Sequence, residues 1–238
     1  MTWATPGART RGARTGLRGL AAAAVGALAA LAAGGGSGLS AQMPDAWVLV
    51  GPDEADYRLR LDREVAHSGG SSMRLEARGN RRRSQWVASV QMVDATAYRG
   101  QRMRLRGYLR ADDVDSGGLW VRVDGILEGK YAMLALDNSE DRRVEGTGDW
   151  GPRDIVIDIP PEGVTILLGA MITGDGELWV DDLTFEPVPA DVPLTTEPEV
   201  VVTDQPYERP LGVFPTPTNM DFEREMEDPM ESTRESNR

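Results

Sequence analysis

The chain contains no cysteine and a single histidine, His67. No disulfide can staple it, no cysteine-linked lipid can anchor it, and zinc sites of the usual His/Cys type are excluded. A Ser-His-Asp triad would have to be built around His67, which sits in the Ser-Gly-rich stretch HSGGSS and reads as a surface turn residue. Phenylalanine is scarce too, three residues against six tryptophans, while glycine (27) and proline (15) are plentiful. That balance suits a turn-rich β protein better than a helical bundle. With 40% hydrophobic residues, the 238-residue chain still has enough apolar material for a real core.

Basic charge is also in short supply: 26 Lys and Arg face 38 Asp and Glu, a net charge of −12. Four of the arginines, Arg9, Arg11, Arg14 and Arg18, precede an Ala-rich apolar run over residues 20–33, then a glycine-rich stretch and Leu39-Ser40-Ala41. This order is that of a signal peptide over residues 1–41, cleaved near Ala41, and it predicts export to the periplasm or beyond. An uncleaved anchor is the rival reading, although the run falls short of the roughly 20 strongly apolar residues a span prefers. Taking the four leader arginines from the 26 basic residues leaves 22 against 38 acids, a net charge of −16 for the mature chain. Such a surface argues against nucleic acid, and against an anionic membrane after leader removal.

From Trp47 onward, short alternating runs are separated by turn chemistry, with no convincing helical period. In LWVRVDG, Leu119, Val121 and Val123 alternate with Trp120, Arg122 and Asp124, which places three aliphatics on one face of a strand and an aromatic, a cation and an anion on the other. RMRLRGYLRA repeats the rule: Met103, Leu105, Gly107 and Leu109 face in, while Arg102, Arg104, Arg106, Tyr108 and Arg110 face out. The acids Asp112, Asp113 and Asp115 with Gly117-Gly118 read as a turn between these two strands, and residues 138–149 as a long polar loop. SQWVASVQMV, from Ser84, is a strand with both faces partly apolar. About ten strands spaced at roughly 8 to 14 residues describe an all-β sandwich or jelly roll over residues 45–188. Residues 189–218 are rich in Pro, Thr and acids and read as an extended linker. Residues 219–225 hold one strand-like unit, NMDFE, that either docks on the sandwich or does nothing; residues 226–238 read as a disordered tail.

The motifs YRLRLD, HSGGSS, AYRG, LWVRVDG, GTGDW, VIDIP, WVDDLTFEPV and NMDFE together resemble a bacterial family of galactose-binding-like jelly-roll domains, some of them appended to transcriptional regulators. More distantly the chain is similar to carbohydrate-binding modules of the same β-sandwich architecture. There, an NxxFE segment opens the domain and a DD-containing strand closes it. Two departures stand out. Regulator-type relatives are cytoplasmic, whereas this chain carries an export pattern, and its NxxFE segment lies at the C-terminal end, Asn219 to Glu223.

Two constellations follow. Trp120, Arg122 and Asp124 share a strand face, with Tyr108, Arg106 and Gln91 on neighbouring strands; an aromatic ring stacks on the CH face of a sugar while bidentate polar groups read its hydroxyls. The competing reading has Trp120 packed under a loop and Arg122 paired with Asp124. The second constellation comes from the resemblance, which implies a structural calcium held by Asp181, Asp182 and Glu223 beside the turn at residues 67–70. No spacing of acids selects a glycosidase pair, Asp124 with Asp137 being only one arithmetical option, so the expectation is a non-catalytic binding domain. Its expected partner is a glycan or polysaccharide; the alternative is an envelope protein, with the domain serving as an interaction scaffold.

Overall fold

The computed structural model describes residues 43–79 and 81–226; the leader and the tail from residue 227 lie outside the described residues. The described chain is all-β, ten strands with two short 3-10 turns at Glu54–Asp56 and Ala95–Ala97. The strands are β1 (Val48–Val50), β2 (Tyr57–Asp62), β3 (Ser72–Ala77), β4 (Trp86–Asp94), β5 (Arg102–Leu127), β6 (Lys130–Asp137), β7 (Val144–Asp158), β8 (Gly163–Thr173), β9 (Glu177–Pro187) and β10 (Val201–Val202).

They form two antiparallel layers that share one strand. The first half of β5 pairs with β7 and β9, and β9 continues through β3 to β2. Its second half pairs with β6 and β8, and the layer extends through β4 to β1 on one side and to β10 on the other. Acids and glycines expected to reverse the chain at residues 112–118 instead bend it. The register of β5 against β7 slips at Leu109/Ala111, Ala111/Val114 and Val114/Gly117. Asp113 takes a left-handed φ of 49°, its N–H donates to the Thr147 hydroxyl at 2.9 Å, and that hydroxyl donates to Asp112 at 3.0 Å. The turn residues are spent as bulges that carry one strand from one sheet into the other. The partner stretch also differs from the expected loop: the GTGDW segment lies within β7, paired with the bulged part of β5.

The core lies between the layers and follows the period-two alternation. Met73, Leu75, Met103, Leu105, Leu119, Val121, Val123, Ile155, Ile166, Leu168, Ile172 and Val180 are buried in it, each worth roughly 1.5–3 kcal/mol. Because the odd positions of LWVRVDG face this core, Trp120, Arg122 and Asp124 must face away from it.

Beyond β9 the chain does not hang free. Thr195 bonds to Val156, β10 adds to the edge of β6, Tyr131 N–H donates to the Gln205 carbonyl, and Phe214 exchanges backbone bonds with Met92 and Asp94 at the end of β4. Proline, which cannot join a ladder as a donor, confines this strap to short pairings. The segment at 219–225 docks as a tight turn, with a single bridge between Pro44 and Glu225. Phe222 is fully buried there, 5.2 Å from the Trp47 ring.

Candidate functional site

The outward face of the second sheet carries its own apolar cluster, separate from the core: Val50, Trp86, Ala88, Val90, Trp120, Leu167 and Met171. Register sets it up. Trp120 on β5 stands beside Gly169 on β8, and Gly169 beside Val90 on β4. A Cβ at Gly169 would run into the Ser89 carbonyl, so this position stays bare, and the Trp120 indole reaches across it to donate its N–H to that carbonyl at 3.3 Å. Trp120 is 8% exposed, a ring laid into the sheet rather than standing open.

At one end of this face Arg122 donates to Asp124 at 2.6 Å and to the Tyr131 hydroxyl at 3.2 Å. Both charges are buried. Burial works against the Arg122 charge, but Asp124 and Tyr131 outweigh it and raise its pKa. The strap covers this end: the Tyr207 ring lies parallel to Tyr131 at 6.0 Å, and its hydroxyl is 2.6 Å from that of Thr165. Arg122 is thus paired with Asp124, and Trp120 is packed down, the arrangement weighed against an open sugar platform. Three buried polar atoms on this face have no partner: Trp86 Nε1, Arg122 Nε and Asp124 Oδ1.

The other residues expected beside Trp120 lie elsewhere. Gln91 faces the interior, where its amide exchanges two 2.8 Å bonds with the Thr218 backbone; it fastens the C-terminal turn and is not on the outward face. Arg106 and Tyr108 belong to the first half of β5, beyond the bend, so they share the outer face of the other sheet. There Arg106 forms a two-pronged pair with Asp154, and Tyr108 stacks on His67 at 3.7 Å with Trp150 edge-on to the same imidazole. Trp179, on that face as well, is flanked by Arg74 and Arg110. The sequence reading missed Trp86, Met171, Tyr131 and Tyr207 as members of the site. The one signal was the two-sided apolar character of β4.

Asp181, Asp182 and Glu223 do converge on the turn at residues 67–71. Neighbouring acids on a strand should point to opposite faces, but the register of β5 against β9 slips beside Asp181 and Asp182 has φ 49°, so both reach one loop. Asp181 accepts from the N–H groups of His67, Ser68 and Asp182 at 2.8, 3.2 and 2.8 Å. Asp182 holds the His67 ring at 2.6 Å and the Ser68 hydroxyl at 2.8 Å, and Glu223 accepts from Gly70 and Ser71 at 2.8 and 3.3 Å. Burial pushes the Asp181 carboxyl above its ordinary value, although the three N–H groups pull it down. This set does not fit calcium: an ion needs carbonyl and carboxylate oxygens around it, and here the loop turns its N–H groups toward the acids. No group of three or more acids or histidines among the described residues is arranged to hold a metal. Asp181, Asp182 and Glu223 form a hydrogen-bonded latch on this turn.

The fold and this outward face define an all-β sandwich with one apolar, partly strapped sheet face. No family model matches the chain. In sequence it is similar to an uncharacterized HTH-type transcriptional regulator, YbfP, of Bacillus subtilis (strain 168), 30% identical over 182 residues. The match covers 76% of this chain and 57% of the regulator, so the chain spans little more than half of that relative's length. Among solved structures it is similar to the CBM22-1 xylan-binding domain of Paenibacillus barcinonensis Xyn10C, at 15% identity and a TM-score of 0.41 over 64% of this chain and 92% of the other. It is also similar to TmCBM61 in complex with β-1,4-galactotriose, at 14% identity and a TM-score of 0.39 over 62% of this chain and 92% of the other. The regulator side of the resemblance read from the motifs is found in the Bacillus subtilis relative.

Proposed function

We propose that this chain is an exported, non-catalytic carbohydrate-binding sandwich whose ligand face is the outward face of the second sheet. The observation that carries this reading is the pairing of an aromatic, apolar floor with three buried polar atoms that have no protein partner. Buried polar groups are normally satisfied, and each one left bare costs about 1–3 kcal/mol. A sugar supplies what this face is missing, CH groups for Trp120 and Trp86 and hydroxyls for Trp86 Nε1, Arg122 and Asp124. His67 and Ser68 both bond to Asp182 rather than to each other, which supports a role without nucleophilic catalysis. The arginine-then-apolar leader supports export.

A protein-binding or scaffold role is favoured by one observation, the small exposure of Trp120. Titrating the mature chain with a panel of neutral and acidic polysaccharides, read by tryptophan fluorescence, separates the two. A saturable change that disappears in Trp120→Ala is the expected result. Silence across the panel refutes the carbohydrate reading and leaves the scaffold role.

A further inference from the structure

Tyr207 of the strap is planted on the outward face itself. Asp124 on β5 pairs in register with Thr165 on β8, so the two side chains stand next to each other on the side that carries Trp120. Thr165 is fully buried, and its hydroxyl meets the Tyr207 hydroxyl at 2.6 Å. The phenol lies parallel to the Tyr131 ring, 6.0 Å away with the planes 13° apart, and the Tyr131 hydroxyl accepts from Arg122 at 3.2 Å. One strap side chain thus gives Tyr131 a ring to face and Thr165 a hydroxyl to bond, the two contacts a pyranose offers an aromatic and polar site.

The strap that carries Tyr207 is fastened at its ends and loose between them. At one end Thr203 N–H donates to the Tyr131 carbonyl at 3.0 Å and Tyr131 N–H to the Gln205 carbonyl at 2.9 Å. At the other, Phe214 exchanges 2.8 Å bonds with Met92 and Asp94. Among the described residues, no backbone bond ties residues 206–213 to the sheet, and Pro206 and Pro210 have no N–H to give. Within residues 204–212 only Tyr207 and Pro210 are even half-buried, and Leu211 is 72% exposed, so no apolar side chain anchors the stretch. Its other side-chain fastener is Arg209 with Asp94 at 2.6 Å, an ion pair open to solvent, and such pairs hold weakly. Gly212, at φ 74°, supplies a pivot before Phe214. A segment with so few buried contacts opens while the rest of the sandwich stays folded. The turn at residues 219–225, with Phe222 fully buried, is the opposite case.

Resting on the carbohydrate reading, we propose that residues 205–213 are a flap and that Tyr207 is a tethered occupant of a sugar subsite built from Tyr131 and Thr165. Lifting the flap uncovers the Tyr131 ring and the Thr165 hydroxyl beside Asp124. A pyranose then takes the place of the phenol, and the rest of the glycan runs over the floor around Trp120. Ligand and Tyr207 compete for one place, so the measured affinity is reduced to the fraction of molecules whose flap is open.

The test measures binding of the full chain to soluble neutral xylan and galactan by tryptophan fluorescence, for the native sequence and three variants. Tyr207→Ala empties the subsite and is expected to bind about tenfold or more tighter. Arg209→Ala cuts only the solvent-side fastener and should bind about two- to fivefold tighter, the worth of an exposed ion pair; it decides the matter if Tyr207→Ala does not fold. Thr165→Val added to Tyr207→Ala should take the gain back, because the sugar then loses its hydroxyl partner. Binding by the native chain that neither Tyr207→Ala nor Arg209→Ala tightens overturns the flap and leaves the carbohydrate reading standing. A gain that survives Thr165→Val overturns the subsite and likewise leaves that reading standing. No saturable change in the native chain or any variant, with these polymers or the wider panel, overturns both.

Discussion

The indole N–H of Trp47 donates to the carbonyl of Asn219 at 3.0 Å, joining residues 172 positions apart. Asn219 is satisfied on every side: its amide N–H groups donate to the Asp45 and Arg224 carbonyls at 2.9 and 2.8 Å, and its side-chain oxygen accepts from Arg224 N–H at 2.9 Å. Phe222 then fills the space beside Trp47. The last described turn is therefore a piece of the core, delivered by the strap.

Removing that piece opens the interior. Phe222→Ala is expected to lower stability by about 3–5 kcal/mol, the cost of a large aromatic deleted from a packed site. Deleting the chain from Asp204 onward removes the whole turn and should lower the melting temperature further. Thermal denaturation followed by circular dichroism measures both, and an unchanged melting temperature would contradict the role of the turn.

Gly69 has φ 61°, and a Cβ there would collide with the Glu223 carboxylate. Gly69→Ala should cost about 1–2 kcal/mol for the left-handed backbone alone, with a further loss from pushing Glu223 off Gly70 and Ser71. In a Glu223→Ala background only the backbone part should remain. A double-mutant cycle reading no coupling would show that the two residues act independently.

Asp181 and Glu223 accept backbone N–H groups of the 67–71 turn and Asp182 holds the His67 ring and the Ser68 hydroxyl, so metal should not matter to the fold. Calcium at millimolar concentration, or its removal by a chelator, is expected to leave the melting temperature where it is. A site filled to one hundred times its dissociation constant would add about 2.7 kcal/mol, an effect thermal melting resolves easily.

Arg122 and Asp124 are a buried pair, and removing one partner strands the other. Asp124→Ala alone should cost about 3–5 kcal/mol, whereas Arg122→Met with Asp124→Leu should be close to neutral. If both forms melt alike, the pair is not desolvated as the structure has it.

The Tyr57 hydroxyl donates to the carbonyls of Gln85 and Gly174 at 3.1 and 2.8 Å. Burial first, then the nearby Asp53 charge, push its pKa up to about 12. The folded state therefore holds the phenol protonated more strongly than the unfolded chain does. Its contribution is fully present below the unfolded value of about 10 and is lost as pH rises toward 12. Unfolding free energy measured between pH 10 and 12 should fall with pH, and Tyr57→Phe should fall less steeply.

The alternation of LWVRVDG and RMRLRGYLRA was enough to assign the inward residues of β5 and the outward position of Trp120, Arg122 and Asp124, because the direction of a side chain on a strand depends only on its parity. The all-β class was legible for the same reason, together with the scarcity of helical periodicity. The companions of Trp120 were not. Gln91, Arg106 and Tyr108 share its polar character but not its face, since β5 bends between sheets at bulges formed by residues that read locally as a turn. The covering of Arg122 by Tyr207, the convergence of Asp181 and Asp182 on one loop, and the entry of Phe222 into the core were likewise decided by the tertiary structure. Local chemistry sets which way each residue points along its own strand. Which residues then meet depends on strand register, on where bulges fall and on how a proline-rich strap is routed, and these are fixed by packing between segments far apart in the chain.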